Sequence, residues 1–442
     1  MVSIGSLHAR FLATAGVFTD TRKPLAGGMF FALSGPNFNA NAFAANALEG
    51  GAACAVVDDP AVAVDDRFLL VPDTLKALQD LARHHRRSFN IPFIGITGTN
   101  GKTTTKELVH AVLSADRPTL ATEGNLNNHI GVPLTLLKLK PEHRIAIIEM
   151  GASKPGDIAE LCAIAEPTHG LITNIGKAHL EGFGSLDGVV RTKTELYAWL
   201  REHEGTAFVN GDDTLLMEQS EGITKRFTYG TGVKNRIHGD FIDGPAPYLN
   251  FYFNAPSPAG VATVPGIPSG WYCETQLVGT YNLPNALAAV AVGKLFRVPD
   301  DLITDAICSY EPANSRSQFK DTGRNHLVLD AYNANPTSMA AALENFAALR
   351  SERPKLAILG GMKELGEGSR AEHEAVIALV RRLGLEAVFV GPEFMELAKT
   401  GITAYTDANA AMHALQQDPM AGRLILVKGS RGVRLEEVVG VL

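Results

Sequence analysis

Short apolar runs followed by amphipathic stretches dominate the chain from residue 91 onward. Each run is long enough for a buried strand, and the stretch after it usually has the spacing of a helix face. This alternation is typical of α/β proteins built on parallel sheets. The predicted strands are 91–96, 144–150, 170–175 and 206–210, and, in a second series, 326–330, 355–360, 387–391 and 423–428.

Three domains are predicted from this pattern and from the length of 442 residues. Residues 1–89 form a small N-terminal α/β domain, residues 90–309 a central parallel-sheet domain, and residues 310–442 a C-terminal α/β domain. Residues 241–270 hold six of the 23 prolines and are expected to form short antiparallel strands and loops on the central domain.

Composition narrows the class of protein. Hydrophobic residues make up 45% of the chain, which is enough to bury substantial cores. The formal net charge of −7 argues against broad nucleic-acid binding, which needs a basic face. The four cysteines are widely spaced, as in a protein with free thiols in a reducing compartment. No apolar run reaches the roughly 18 residues that a membrane span needs, and a cytoplasmic location is expected.

The segment Thr-Gly-Thr-Asn-Gly-Lys-Thr-Thr-Thr at residues 97–105 lies between a predicted strand and a predicted helix. Backbone N–H groups and the helix dipole at such a junction favour a bound phosphate. Lys102 would add a positive charge, and the hydroxyl of Thr103 is placed to bind Mg²⁺. The glycine spacing departs from the usual phosphate-loop pattern, and the alternative is an ordinary glycine-rich turn.

Two titratable residues follow predicted strands of the central domain. Glu149 ends the apolar strand 144–150, where open α/β sheets bind ligands, and its carboxylate is a natural Mg²⁺ ligand. His179 follows the strand 170–175 and would reach the same edge. The alternatives are a solvated acid at a strand end and a histidine that only packs or faces solvent.

Lys193 falls on the apolar face of the predicted helix 185–203, four residues after Val189 and seven after Leu186. A buried lysine needs a partner or a modification, which makes Lys193 a functional candidate. The alternative is a side chain that extends along the helix surface to solvent.

These residues resemble the Mur ligase family, the ATP-dependent ligases of peptidoglycan synthesis, and the resemblance spans nearly the whole chain. The segment 97–105 resembles their phosphate loop. Four further stretches resemble the family member that adds D-alanyl-D-alanine: Gly-Asn-Leu-Asn-Asn-His-Ile-Gly-Val-Pro at 124–133, Asp-Ala-Tyr-Asn-Ala-Asn-Pro-Thr-Ser-Met at 330–339, Leu-Gly-Gly-Met-Lys-Glu-Leu-Gly at 359–366 and Val-Lys-Gly-Ser-Arg at 427–431. The implied architecture is a central phosphate-loop ATPase domain between a UDP-binding domain and a Rossmann-like domain.

The resemblance also implies roles for individual residues. Lys193 matches a family lysine that is often carbamylated. Tyr281 stands where the family usually has histidine, and Ser315 stands where it has glycine. The implied ATP-binding residues are Gly98, Thr99, Asn100, Gly101, Lys102, Thr103, Thr104, Asn282, Asn285, Arg316 and Asp330. The implied catalytic residues are Lys102, Lys193, His179 and Asn128, and the metal ligands are Thr103, Glu149 and His179. The implied substrate contacts are Thr21, Arg22, Asn37, Asn41, Tyr332, Asn333 and Asn335.

The implied activity is ATP-dependent amide formation between UDP-N-acetylmuramoyl-tripeptide and D-alanyl-D-alanine, through an acyl phosphate and with two Mg²⁺ ions. The chain is expected to act as a monomer without nucleic acid. Two alternatives remain open. One is another amide ligase of the same architecture, such as a different Mur-type ligase or a folylpolyglutamate synthetase. The other is a nucleotide-switched binding protein, which would turn over nucleotide without an amide product.

Overall fold

Three β-sheets of four, nine and six strands follow one another along the chain in its computed structural model, which describes residues 2–242, 247–254, 270–313 and 316–442. Ser315 lies outside these described residues. The sheets confirm the predicted α/β class. The domain boundaries after residues 89 and 309 stay predictions.

The N-terminal sheet is parallel and has the strand order β1-β2-β5-β6. Its two central strands are fully buried because they are short apolar runs. The strands are β1 (Val17–Phe18), β2 (Met29–Phe31), β3 (Ser34–Gly35), β4 (Phe38–Asn39), β5 (Cys54–Val57) and β6 (Phe68–Leu70), and the helices are α1 (Ile4–Leu12), α2 (Ala44–Glu49) and α3 (Thr74–Arg87). Strands β3 and β4 form a separate hairpin.

The central sheet has nine strands in the order β15-β14-β13-β12-β11-β10-β7-β9-β8. The strands are β7 (Phe93–Thr97), β8 (Thr119–Ala121), β9 (Ile145–Glu149), β10 (His169–Ile172), β11 (Thr206–Asn210), β12 (Lys225–Gly230), β13 (Ile237–Ile242), β14 (Tyr248–Phe253) and β15 (Trp271–Val278). Strands β7 to β13 pair in parallel, whereas β13, β14 and β15 pair antiparallel. The antiparallel strands predicted within 241–270 are therefore confirmed where that segment is described.

Helices cover both faces of the central sheet, so its interior strand β7 is buried along its whole length. These helices are α4 (Lys102–Ser114), α5 (Gly131–Leu136), α6 (Asp157–Ala165), α7 (Leu180–Phe183), α8 (Leu186–Lys193), α9 (Glu195–Glu202), α10 (Thr214–Gln219), α11 (Leu283–Leu295) and α12 (Asp300–Cys308). The last of them leads into the C-terminal part of the chain.

The C-terminal sheet has the order β16-β17-β21-β18-β19-β20, parallel except for the antiparallel edge strand β16. The strands are β16 (Gln318–Asp321), β17 (His326–Asp330), β18 (Lys355–Gly360), β19 (Glu386–Val390), β20 (Thr403–Tyr405) and β21 (Leu424–Lys428). The helices are α13 (Pro336–Ala348), α14 (Ser369–Arg382), α15 (Pro392–Met395) and α16 (Ala408–Gln417).

The helix predicted over 185–203 is wrong in one respect, because α8 and α9 are separate helices that meet at Thr194. The Thr194 hydroxyl donates to the carbonyls of Val190 and Arg191 at 2.8 and 3.1 Å, and such back-bonding competes with a regular helix. Leu186, expected on the buried face, begins α8 and is 44% exposed. Val189 and Lys193 are buried as expected.

Candidate active site

One cavity of about 960 Å³ lies between the central sheet and the C-terminal sheet. Residues at the carboxyl ends of β9, β11, β17 and β21 line the cavity. Parallel sheets bind ligands at the carboxyl ends of their strands. The predicted site residues that line it are Thr99, Asn100, Gly101, Lys102, Thr103, Thr104, Asn128, Glu149, His179, Asn282, Asn285, Arg316, Asp330, Tyr332 and Asn333. The structure thus brings most of the predicted site residues together.

The phosphate loop is fixed by the residues that follow β10. The backbone N–H of Asn100 donates to Oδ1 of Asn174 at 3.0 Å, and the Thr173 hydroxyl donates to the Asn100 carbonyl at 2.6 Å. A Cβ at Gly98 would lie 2.0 Å from Oγ1 of Thr173, and φ is +142° there, so this position requires glycine. The N-cap of α4 is Gly101, which has no side chain to cap the helix, and this leaves the first N–H groups of α4 for an anion.

Lys102 begins α4 and lies across its own loop. Its Nζ donates to the carbonyls of Gly98 and Thr99 at 2.7 and 2.9 Å. Burial lowers the pKa of Lys102; the Glu149 carboxylate opposes that shift, and the Arg316 guanidinium adds to it. Positive and negative groups therefore converge on the N-terminus of α4.

Glu149 is only 1% exposed, and just one of its two carboxylate oxygens is hydrogen-bonded within the described residues. Its Oε1 accepts a hydrogen bond from Nδ2 of Asn127 at 2.8 Å, while the buried Oε2 has no hydrogen-bond partner among the described residues. An unpartnered buried carboxylate oxygen beside a phosphate loop fits a hard cation such as Mg²⁺. Within the described ranges, no cluster of three acidic, histidine or cysteine side chains could hold a metal alone. Phosphate and water oxygens would complete such a site, as Mg²⁺ prefers.

His179 has a strained backbone at the start of α7, with φ of +49°. Its Nδ1 contacts Oε2 of Glu364, a residue of the loop that follows β18. Burial lowers the pKa of His179, and the Glu364 carboxylate opposes that shift. A neutral imidazole of this kind can act as a metal ligand.

Lys193 is 2% exposed and does not itself line the cavity. Its Nζ lies 5.6 Å from the centre of the Phe183 ring, and no hydrogen-bond or ion-pair partner for it occurs in the part of the chain that the structure describes. Burial lowers its pKa well below the ordinary value for lysine, and the charge of Lys102 lowers it further. The environment thus disfavours the protonated ammonium close to the phosphate loop, although the carboxylates of Asp157 and Glu195 oppose the shift.

The C-terminal wall of the cavity combines charged and amide side chains. Nζ of Lys428 donates to Oδ2 of Asp330 at 2.6 Å, and Lys428 is 1% exposed. The Arg316 guanidinium lies 3.5 Å from the centre of the Tyr332 ring, which places a cation on an aromatic face. Asn333 is exposed in the cavity, and its Oδ1 accepts from the N–H of Ala334 at 2.9 Å.

Asn335 is buried and is the N-cap of α13, so it does not line the cavity. Its Oδ1 accepts from the N–H of Ser338 at 2.9 Å, and its Nδ2 donates to Oδ1 of Asn100 at 2.7 Å. The side chain therefore links the C-terminal sheet to the phosphate loop.

Asn282 and Asn285, two of the implied ATP-binding residues, are hydrogen-bonded to each other. Nδ2 of Asn285 donates to Oδ1 of Asn282 at 2.9 Å, and Oδ1 of Asn285 accepts from the Thr105 hydroxyl at 3.0 Å. Nδ2 of Asn282 donates to the Val278 carbonyl at 2.9 Å and to Oγ of Ser317 at 3.0 Å. Both residues line the cavity while fixing α11 to α4.

The predicted contacts in the N-terminal region lie away from this cavity. Arg22 is exposed and pairs with Asp20 at 2.9 Å, while Asn37 lies at the exposed turn of the β3–β4 hairpin. Thr21 is half-buried in the turn beside Arg22. Nδ2 of Asn41 donates to Oδ1 of Asp58 at 2.6 Å, so this amide fixes the chain after β4 to the residue that follows β5.

Sequence reasoning missed three residues that shape the site. Asn127 positions Glu149, Asn174 holds the phosphate loop, and Lys428 neutralises Asp330. Lys428 ends a wholly buried strand, which is the same signal that singled out Glu149. Asn174 lies two residues after the end of β10 and could have been found in a similar way.

The geometry defines an α/β protein with a phosphate-loop site at a sheet edge, and comparison with known proteins identifies its family. The Mur ligase middle domain matches residues 96–293, and the Mur ligase glutamate ligase domain matches residues 315–431. The chain belongs to the Mur ligase family. Among the residues that the structure describes, no helix is long and apolar enough to cross a membrane.

Full-length relatives narrow the comparison to one member of the family. The chain is 34% identical over 437 residues to the UDP-N-acetylmuramoyl-tripeptide–D-alanyl-D-alanine ligase of Bacillus subtilis. The aligned region covers 96% of this chain and 92% of that protein. It is also 34% identical over 454 residues to the Escherichia coli protein of the same name, and this alignment covers 99% of this chain and 96% of that protein.

Solved structures agree with this placement. MurF from Acinetobacter baumannii superposes with a TM-score of 0.84 at 31% identity, covering 96% of this chain and 92% of that one. MurF from Thermotoga maritima in complex with ADP gives a TM-score of 0.83 at 28% identity, covering 97% of each chain. A folylpolyglutamate synthase from Thermotoga maritima shares the fold alone, with a TM-score of 0.58 at 11% identity, covering 81% of this chain and 90% of that one.

Proposed function

We propose that this chain is an ATP-dependent ligase that joins D-alanyl-D-alanine to UDP-N-acetylmuramoyl-tripeptide. The observation that carries the proposal is the shared cavity, in which the phosphate loop faces the loop that follows β17. A carboxylate activated at the first loop and an amine held at the second would meet inside it. The names of the full-length relatives describe the same reaction for those proteins. Four free cysteines suit the cytoplasm, where we place the reaction.

The proposed chemistry has two steps. The terminal carboxylate of the tripeptide attacks the γ-phosphorus of ATP, which forms an acyl phosphate and releases ADP. The amine of D-alanyl-D-alanine then attacks the acyl carbon, loses a proton, and expels phosphate as the amide forms. Lys102, Arg316 and the first N–H groups of α4 would stabilise the negative charge that accumulates on the phosphoryl oxygens. A cavity enclosed between two sheets would limit access of water to the acyl phosphate.

Thr103, Glu149 and His179 are the proposed Mg²⁺ ligands. The unpartnered Oε2 of Glu149 supports this assignment, as does the lowered pKa of His179. Mg²⁺, as two ions in this proposal, would screen the charge between the substrate carboxylate and the phosphates. Asn127 would keep Glu149 in its ligating orientation.

Lys193 is proposed to carry a carbamate. Its burial and its lowered pKa favour the neutral amine, which is the form that adds carbon dioxide at Nζ with release of a proton. The product is an anion, and an anion close to Lys102 would be stabilised by the positive charge of that lysine and of a bound Mg²⁺.

The remaining assignments follow the likeness to the family. Asn282 and Asn285 are proposed to contact adenine and Asp330 the ribose, while Asn128 acts in the catalytic step. Tyr332 and Asn333 are proposed to hold the dipeptide. Gly98, Thr99, Asn100, Gly101 and Thr104 are proposed to surround the phosphates, and Thr21, Arg22, Asn37 and Asn41 to form the uridine site.

A product assay with a panel of amino donors tests the function. The expected result is ADP, phosphate and an amide product with D-alanyl-D-alanine, and none with lysine, diaminopimelate or glutamate. An amide product with one of the other donors would assign the chain to a different ligase of this architecture. Nucleotide turnover without any amide product would identify a nucleotide-switched binding protein.

A further inference from the structure

Tyr281 departs from the residue usual in this family and makes a contact of its own. Its hydroxyl lies 3.2 Å from Oγ of Ser317. Tyr281 precedes α11 in the central part of the chain, whereas Ser317 immediately precedes β16, the edge strand of the C-terminal sheet. Burial and the charge of Asp330 raise the pKa of Tyr281, which keeps its hydroxyl protonated and able to donate. The contact therefore crosses the junction between the two sheets that enclose the cavity.

Ser317 has a backbone conformation that serine seldom adopts. Its φ is +48°, in the left-handed region, which is unfavourable for a residue other than glycine. It persists only where the surroundings hold it. Ser317 is 5% exposed, its carbonyl accepts from the N–H of Val278 at 3.1 Å, and its Oγ accepts from Nδ2 of Asn282 at 3.0 Å. Tyr281 completes this set of contacts.

The conformation of Ser317 determines the direction of its neighbour Arg316. The Arg316 guanidinium lines the cavity and lies on the face of the Tyr332 ring. Its positive charge is close enough to Lys102 to add to the lowering of the lysine pKa that burial causes. A rotation of the backbone at Ser317 would carry Arg316 away from the phosphate loop.

We propose that Tyr281 is a positioning residue for the phosphate-binding arginine. Its hydroxyl, together with Asn282, holds Ser317 in the left-handed conformation and so directs Arg316 at the phosphates of ATP. This inference rests on the proposed nucleotide site. It gives a role to a residue that stands where the family usually has histidine.

A double-mutant cycle on nucleotide binding tests the proposal without turnover. Tyr281→Phe removes only the hydroxyl, and Arg316→Ala removes the group through which it acts. Titration calorimetry with a non-hydrolysable ATP analogue should show about a threefold to tenfold weaker affinity for Tyr281→Phe, the worth of one hydrogen bond. In the Arg316→Ala background the same change should have almost no effect on the affinity for the analogue, because Tyr281 acts on the phosphates only through Arg316.

Two controls separate positioning from general stability. Tyr252→Phe makes the same chemical change on β14, away from the cavity, and should leave both affinity and melting temperature near wild type. Ser317→Ala removes the contacts of Oγ with both Tyr281 and Asn282, so it should weaken analogue binding at least as much as Tyr281→Phe does. Circular dichroism would verify that every variant is folded.

Two results would overturn the inference. One is wild-type affinity in Tyr281→Phe, and the other is an equal loss of affinity with and without Arg316. The product assay is separate from this cycle. A wild-type chain that binds the analogue but forms no amide would disprove the proposed function, while the cycle would still decide the role of Tyr281.

Discussion

Asn335 and Asn100 are 235 residues apart in the sequence, yet Nδ2 of Asn335 donates a hydrogen bond to Oδ1 of Asn100 at 2.7 Å. The cap on α13 sets this geometry, because Oδ1 of Asn335 faces the N–H of Ser338 and leaves the NH₂ group for the phosphate loop. The loop that we propose for the amine and the loop that we propose for the phosphates therefore hold each other in place.

Asn335→Ser should separate this link from the helix cap. Serine is also a good N-cap, but its side chain is too short to reach Asn100. We expect a melting temperature near wild type and a KM for both ATP and dipeptide that is about threefold to tenfold higher, since one hydrogen bond is lost. Asn335→Ala loses the cap as well and should be less stable by about 1 kcal/mol. Unchanged KM values in the serine variant would show that the link has no functional effect.

Asn333 should affect the dipeptide alone. Its side chain is exposed in the cavity, and its Nδ2 has no partner in the ranges that the structure describes. Asn333→Ala is expected to raise the KM for D-alanyl-D-alanine roughly tenfold, as one or two hydrogen bonds disappear, and to change the KM for ATP much less. Initial-rate kinetics with each substrate varied in turn measure both. A selective loss of ATP affinity would instead assign this loop to the nucleotide.

Lys102→Ala should abolish ligation while the fold stays intact. Loss of one cation that stabilises the transferred phosphoryl group costs about a hundredfold or more in rate. ADP formation gives the rate, and circular dichroism reports the fold. The control Lys138→Ala removes a lysine that pairs with Glu123 outside the cavity and should retain normal activity. A Lys102→Ala variant with near-normal turnover would disprove the phosphate assignment.

Lys193→Ala should be nearly inactive if the carbamate supplies an essential anion. Isotope-labelled bicarbonate followed by carbon NMR should show one carbamate signal in the wild-type chain and none in the variant. Added short carboxylates should restore part of the activity by supplying the missing negative charge. A wild-type chain without a carbamate signal would rule out the modification and leave Lys193 as a buried neutral amine.

The sequence predicted those features of the fold that depend on local pattern. The sequence predicts strands at residues 206–210, 326–330 and 355–360, and these are strands with the same bounds, because short apolar runs bounded by turns suit burial in a sheet. Lys193 was expected to be buried because of its spacing from Val189 along one helix face, and it is. Local periodicity is enough for statements of this kind.

Contacts between distant segments could not be predicted in this way. Nothing near Asn335 in the sequence indicates Asn100, because their distance depends on how two sheets pack against each other. Tyr281 was noticed only as a departure from the family pattern, and its partner Ser317 became visible in the folded chain. The contact between the Asn41 amide and Asp58, the residue after β5, could not be predicted for the same reason.

The buried His85 and the half-buried His8 make the stability of the N-terminal region dependent on pH. Nε2 of His85 lies 3.1 Å from the carbonyl of Leu139, so it must carry the proton, and Nδ1 of His85 accepts from Nε2 of His8 at 3.1 Å. Burial lowers the pKa of both imidazoles. The folded state thus binds fewer protons than the unfolded state below the ordinary histidine pKa of about 6.5, and stability must fall as the pH decreases through that range.

His85→Gln should remove part of this dependence. Glutamine does not titrate, and its NH₂ group can still donate to the Leu139 carbonyl. Melting temperatures measured from about pH 7.5 to pH 5, on either side of the ordinary histidine pKa, should fall more steeply for the wild-type chain than for the variant. Other buried histidines, including His110 and His373, also have lowered pKa values, so the difference between the two curves is the informative quantity. Parallel curves would show that His85 keeps the same pKa in the folded and unfolded chains.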